Sequence, residues 1–227
     1  QEDTFTIDLF KQVIDSILKF HIGWWDAEEL KGEDFLRATG EPLCMIHAST
    51  TDVVKDYCRA WREKELPQFA SKFSGELSQE TLGLILKSID AWEKLYPARI
   101  GKGRGLTLLH GDLHKYNIFY PKDASKHTLY FTDWETFKRG IGTYDLCYLV
   151  ADEEPDRRRS MEEGLLRYYH NGLMEGGVSG YSWDDCVSDY RLSVMANLFP
   201  TLVWKRLPTF KSRMEQFLDW DCQDLLL

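Results

Sequence analysis

No stretch of the 227-residue sequence approaches the roughly 20 consecutive apolar residues that a membrane-spanning helix needs, and no signal peptide is visible at Gln1. An initiator methionine is also missing, so Gln1 is not taken as the start of the gene. Cysteine is sparse. Cys44, Cys58, Cys147, Cys186 and Cys222 are odd in number, widely spaced and never arranged as Cys-x-x-Cys, which speaks against a disulfide framework or a zinc site and for reduced thiols in a cytoplasmic protein. Positive charge is in deficit, with 28 Lys and Arg against 37 Asp and Glu, a net charge of −9 and a pI near 5.2. Such a balance excludes non-specific binding to a nucleic-acid backbone, which needs Lys and Arg surfaces. The single basic run, Arg157-Arg158-Arg159, is flanked by Asp152 to Asp156 and by Glu162-Glu163, and is read as a solvated loop. Gly101-Lys102-Gly103-Arg104-Gly105 lacks the Lys-Ser/Thr ending of a phosphate loop and leads into a strand-like run rather than a helix, so it is read as a flexible linker.

What is present is enough apolar material for a sizeable core, 43% hydrophobic and 14% aromatic, in a length that suits one large domain or two small ones. The chemistry concentrates between Leu106 and Leu149. Leu106 to Leu109, Ile118 to Tyr120 and Leu129 to Phe131 are short apolar or aromatic runs, predicted as strands, and the polar residues sit on the loops between them. Those loops carry His110-Gly111-Asp112-Leu113-His114-Lys115-Tyr116-Asn117, then Asp133-Trp134-Glu135, then Gly140-Ile141-Gly142-Thr143-Tyr144-Asp145-Leu146. A hairpin through the turn Pro121 to Thr128 returns Asp133 beside Asn117, placing two oxygen ligands opposite Asp112. Magnesium takes one or two such ligands from protein and the rest from water and phosphates. Asp112 is then free to orient an attacking hydroxyl, the division of labour in phosphoryl transfer.

A dinuclear metallophosphoesterase could also use Gly-Asp-Leu-His, but two ions need further Asp, Asn and His ligands. His21, His47, His127 and His170 lack a matching context.

His-Gly-Asp-Leu-His-x-x-Asn, followed by Asp-Trp-Glu and Gly-x-Gly-x-x-Asp-Leu, resembles the aminoglycoside phosphotransferase and choline kinase-like superfamily, small-molecule relatives of the protein kinases. The resemblance implies Asp112 as the catalytic aspartate, Asn117 and Asp133 as magnesium ligands, and His110 and Asp145 as supports of the catalytic loop. It leaves His114 and Glu135 as candidates for phosphate or acceptor contacts. Gly111 stands where protein kinases have Arg, and Trp134-Glu135 where they have Phe-Gly; both departures point to the small-molecule branch.

Around this centre the chain is predicted to be mostly helical. Thr6 to His21 has a single apolar stripe, and its Phe20-His21-Ile22-Gly23-Trp24-Trp25 ending resembles that of an early large-lobe helix of the superfamily; His21, Trp24 and Trp25 are read as packing residues. Glu28 to Thr50 is read as a long connection, Asp52 to Glu65 as a helix ended by Pro67, and Ser78 to Leu95 as a helix with Pro97 beyond its end and a core stripe of Leu82, Ile85, Leu86, Ile89 and Trp92. Helices follow at Ser160 to Tyr169, closing at Asn171-Gly172, then after Ser182, and from Phe210 to Leu227. The resemblance places acceptor specificity in these last helices, where Trp183, Asp189, Tyr190, Asn197 and Trp204 are available to line a pocket.

The fold class expected is therefore α+β, mostly α: one kinase-like large (C-terminal) lobe over 1–227, with a catalytic core at 106–149 built on a small β-hairpin and a helical part at 158–227. The β-rich small lobe with its phosphate loop and lysine has no counterpart in the sequence. The implied function is an ATP- and Mg2+-dependent transfer of the γ-phosphoryl group to a hydroxyl of a small molecule, without nucleic-acid or membrane partners. The alternative is a truncated pseudoenzyme that binds without turnover. The acceptor is left open; an acidic chain is compatible with a cation such as choline or an aminoglycoside, although net charge concerns steering rather than pocket identity.

Overall fold

A computed structural model of the chain describes residues 5–31, 51–121 and 128–227. Most of the Glu28 to Thr50 connection, with Cys44 and His47, and most of the Pro121 to Thr128 turn, with His127, lie outside the described residues. Helix α1 (Ile7–Gly23) opens on Thr6, whose Oγ1 accepts the Leu9 amide at 3.2 Å, and buries Phe10, Val13, Ile14, Ile17 and Leu18. This stripe packs on α6 (Pro155–Glu175). Gly172 of α6 and Gly176, which caps it, lie against Leu18 and Ile22, where a Cβ would collide. Gly172 is therefore a close-approach position inside a helix that runs on to Glu175, and not the helix end that Asn171-Gly172 suggests.

Two prolines expected to end helices are carried inside them. The chain runs from α2 (Thr51–Ala60) through one wide π-helical turn (Trp61–Glu65) into α3 (Leu66–Lys72), with Pro67 in the first turn of α3. The Leu66 amide bonds five residues back to Trp61, so the widening falls where Pro67 has no N–H to offer. Helix α4 (Gln79–Ile100), capped by Ser78, likewise continues through Pro97. Ile85, Ile89 and Trp92 of its stripe are buried, whereas Leu86 is exposed.

The β-structure is two antiparallel ribbons. Strand β1 (Thr107–Leu109) pairs with β4 (Lys138–Gly140), a strand the apolar pattern does not announce, and β2 (Ile118–Phe119) pairs with β3 (Tyr130–Phe131). Helix α5 (Thr143–Val150) follows β4 and is buried at all eight positions, so it shows no amphipathic period. Helix α7 (Trp183–Ala196) starts with a capping box between Ser182 and Asp185; α8 (Phe199–Trp204) and α9 (Leu207–Asp219) complete the helical part. The carboxy-terminal residues form a separate 3-10 helix (Cys222–Leu226) instead of extending α9. No helix among the described residues is long and apolar enough to cross a membrane.

Two expectations are corrected by burial. Arg157, Arg158 and Arg159 lie on α6, and Arg158 is wholly buried, its guanidinium bound to Glu162 and, across the bundle, to Asp219 of α9. The Gly101 to Gly105 segment is held rather than flexible. The Asp26 carboxylate accepts the Gly105 and Leu106 amides at 2.9 and 3.0 Å. Arg99, paired with Asp189 at 2.6 Å, donates to the Arg104 and Gly105 carbonyls. This clamp fixes the entry to β1, and with it the loop that β1 delivers.

Candidate active site

The loop after β1 is fixed from below by Asp145 at the start of α5. Its carboxylate, fully buried, accepts the His110 amide at 2.8 Å and the Gly111 amide at 2.9 Å. His21, at the end of α1, completes the support: its Nε2 is 3.3 Å from the same carboxylate and its Nδ1 is 2.7 Å from the Tyr169 hydroxyl. The carboxylate can only accept, so Nε2 carries the hydrogen. Burial by itself raises the Asp145 carboxyl, but the His21 hydrogen bond and charge, with His110 and the Gly111 amide, hold it below the ordinary range. His21 is thus a packed helix-end residue with a defined partner.

Gly111 takes φ +86, in the left-handed region, and a Cβ there would run into the Thr136 carbonyl oxygen. The residue that distinguishes this loop from protein kinases is therefore dictated by its backbone. His110 ties the loop sideways: its Nδ1 accepts the Asp112 amide at 3.3 Å and its Nε2 donates to the Thr132 carbonyl at 2.8 Å. The Thr132 amide in turn donates to the Asn117 carbonyl at 3.0 Å, which closes the base of the β2–β3 hairpin. Asp133 comes next in chain, one residue beyond the partner of Asn117, and turns the backbone at φ 63 into a 3-10 turn (Trp134–Thr136). Asp and Asn tolerate that conformation better than other non-glycine residues. The Trp134 ring packs on Phe20 and His110, at 5.1 and 4.5 Å between centroids, so it carries a structural contact.

Asp112 is half-buried and held from two sides. Asn117 Nδ2 donates to its carbonyl at 3.0 Å and to its Oδ2 at 3.2 Å. His114 Nε2 stands 3.6 Å from the same oxygen. The His114 Nδ1 accepts the Tyr116 amide at 3.2 Å, which leaves the hydrogen on Nε2, facing the carboxylate. The Tyr148 phenol of α5, which lines the same groove, is not signalled by any sequence motif. Burial tends to raise the Asp112 carboxyl, but the neighbouring His114 first, and the Tyr148 phenol, outweigh it and hold the group low. Burial and the Asp112 charge push the Tyr148 phenol up in return, keeping it a donor.

These residues open onto a groove of about 360 Å3 lined by Asp112, His114, Tyr116, Tyr148, Asp152, Trp204, Arg206, Thr209 and Arg213. Of the five late aromatic and polar residues available for a pocket, Trp204 lines this groove. Asp189 is taken by Arg99 and Tyr181, Tyr190 by Glu162, and Asn197 by Cys147, while Trp183 lies under Arg167. Glu135 is exposed and lies outside the groove lining. The four described cysteines are buried and unpaired, and burial pushes the thiols of Cys58, Cys147 and Cys186 up to about 12, so none is poised as a nucleophile.

The donor set suits one hard cation shared with phosphates. Asn117 commits its amide nitrogen to Asp112, so its Oδ1 is the atom with ligating capacity, and the Asp133 carboxylate is exposed at the base of the same hairpin. Among the described residues no group of three or more His, Cys, Asp or Glu could hold a metal unaided. Magnesium bound through a nucleotide needs only one or two protein oxygens.

No curated protein and no solved structure matches the chain. Residues 43–177 match the ecdysteroid kinase-like family, a segment that covers more than half of the sequence and includes the whole of β1 to α5. The chain belongs to the ecdysteroid kinase-like family, a member of the choline kinase-like and protein-kinase-like superfamily.

Proposed function

We propose that the chain transfers the γ-phosphoryl group of ATP to an alcohol hydroxyl of a small molecule, with Asp112 as the residue that meets the hydroxyl. The family implies kinase-like phosphotransfer in general. The observation that carries the finer reading is the grip on Asp112: an ionised, half-buried carboxylate on a loop whose two preceding amides are fixed by Asp145, facing a groove large enough for an acceptor. Kept ionised, Asp112 accepts a hydrogen bond from the incoming hydroxyl and aligns its oxygen for in-line attack. Asn117 holds the carboxylate in one orientation by donating to it, and the His114 Nε2–H facing it at 3.6 Å makes His114 an electrostatic support rather than a base.

Asn117 and Asp133 would hold Mg2+, which screens the phosphate charge when bound. The groove side that carries Tyr116, Tyr148 and Trp204 gives the acceptor an aromatic wall. No observation favours a binding module without turnover.

The test is transfer of labelled γ-phosphate from Mg-ATP to a panel of small alcohols. Asp112→Asn should abolish product while leaving the circular dichroism spectrum and melting temperature close to the parent's. Undiminished transfer by Asp112→Asn would overturn the assignment.

A further inference from the structure

The groove that holds Asp112 is completed by the corner between α8 and α9. Lys205, in the left-handed conformation at φ 53, is tied to the other side of the bundle: its Nζ is 3.1 Å from Glu65 and its carbonyl accepts Lys72 Nζ at 3.3 Å. With Lys205 fixed, Trp204 and Arg206 on either side of it both line the groove. The corner falls beyond the segment that matches the family.

Three sources of positive potential meet there. Arg206 is the N-cap of α9 but makes no side-chain cap bond, and Thr209 of the uncapped first turn lines the groove. The first-turn amides of Leu207 and Thr209, with Pro208 between them lacking an N–H, favour an anion. The Arg206 guanidinium lies over the Trp204 ring at 5.8 Å, and among the described residues it has no carboxylate partner. Arg213, in the next turn, is 95% buried: it binds Asp152 through Nη2 at 2.7 Å, while its Nη1 has no hydrogen-bond partner among the described residues. That atom is closed to solvent, so Arg213 adds positive potential to the groove wall without offering a donor to a ligand. The two acids of the groove are already engaged, Asp152 by Arg213 and Asp112 by Asn117 and His114.

We propose that the α8–α9 corner is an anion-binding subsite, and that the acceptor is an alcohol carrying a carboxylate or another compact anionic group away from the hydroxyl that is phosphorylated. Its carbon body rests on Trp204 and Tyr148, and Arg206 with the α9 N-terminus takes the anion. The inference rests on the phosphotransfer reading for the role of Asp112, and it runs opposite to the chain's net charge of −9. A polycationic acceptor would meet Arg206 and a helix N-terminus instead of a carboxylate.

The experiment is a calorimetric titration of the full chain with three probes that share one ring and one hydroxymethyl group: para-(hydroxymethyl)benzoate, the corresponding uncharged para-diol, and the para-trimethylammonium alcohol. The carboxylate should bind at least about fivefold more tightly than the diol, in the range of one solvent-accessible charge contact, and the ammonium probe most weakly. Arg206→Glu should reverse the order; Arg206 is exposed, so the variant keeps its fold, checked by circular dichroism. Equal affinities, no binding of any probe, or an order that survives Arg206→Glu would each overturn the subsite. A parallel loss of Mg-ATP affinity in Arg206→Glu would assign the cations to the donor's phosphates and overturn it as well. Failure of the phosphotransfer reading is separate, because it would show as missing Mg-ATP binding while the probe order persisted.

Discussion

Replacing Asp145 by Asn keeps the side chain's size and removes its charge, which isolates the bracing of the catalytic loop. In the parent, one carboxylate serves three donors: the His110 and Gly111 amides and His21 Nε2. The variant has one oxygen and one NH2, so at least one buried donor is left facing another donor. An unsatisfied buried group is worth about 1–3 kcal/mol, and the bonds that persist lose their charge assistance, so the total should be about 2–4 kcal/mol. At about 2–4 °C per kcal/mol for a chain of this size, the melting temperature should fall by about 4–15 °C at neutral pH.

The pH dependence has a definite sign. The Asp145 carboxyl is held low in the folded state, so its contribution is fully present above the unfolded pKa of about 3.9 and is lost as pH falls below that value through the folded one. Differential scanning calorimetry of parent and variant should therefore show a constant gap at neutral pH that narrows on acidification below about pH 4. A gap under about 1 °C at neutral pH, or one that does not narrow in acid, would refute the bracing argument.

Gly111→Ala forces a Cβ onto the Thr136 carbonyl and strains φ +86, so it should lower stability by about 2 kcal/mol or more in urea unfolding and weaken Mg-ATP binding in the same protein. Tyr148→Phe removes the phenol hydroxyl that helps to hold the Asp112 carboxyl low, so that carboxyl should titrate at higher pH than in the parent; carboxyl NMR reads this directly, and an unmoved titration would show that the phenol does not hold the carboxylate. Arg158→Ala removes the buried cation that Glu162 and Asp219 share and leaves a hole there, so it should cost about 3–5 kcal/mol, even though Glu162 keeps Tyr190 and Gln216 and Asp219 keeps Arg159; Arg167→Ala, at an exposed pair, should cost less than about 1 kcal/mol. Similar urea midpoints for those two variants would contradict the burial of Arg158.

How much of this could be read from the sequence depends on the range of the interaction. Asp112 and Asn117 stand on one short loop, so their spacing alone brings them within hydrogen-bond reach, and the apolar runs beside them mark β1, β2 and β3. Thr6 and Ser182 disclose the starts of α1 and α7 because capping is local. Tyr148 could not be found that way: α5 is buried on every side, so no periodic face marks it, and only the tertiary fold turns its phenol to Asp112. Arg158 looked solvated because Asp219, which holds it, is far along the chain. The glycines at 101–105 looked flexible because the groups that pin them, Asp26 and Arg99, come from α1's end and α4. Pro67 misled for a different reason, since a first turn after a widened one accommodates a proline, and Pro97 sits inside α4 one turn before its end.

The central claim, that Asn117 and Asp133 at the base of the hairpin serve a nucleotide-bound magnesium beside Asp112, is tested most directly by calorimetric titration with Mg-ATP. The comparison is the parent chain, Asp133→Ala, and Asp156→Ala as a control at a fully exposed carboxylate of α6. Saturable binding that survives in Asp156→Ala and vanishes in Asp133→Ala is the predicted result. Equal binding by Asp133→Ala and the parent, or no magnesium dependence in the parent, would contradict the account.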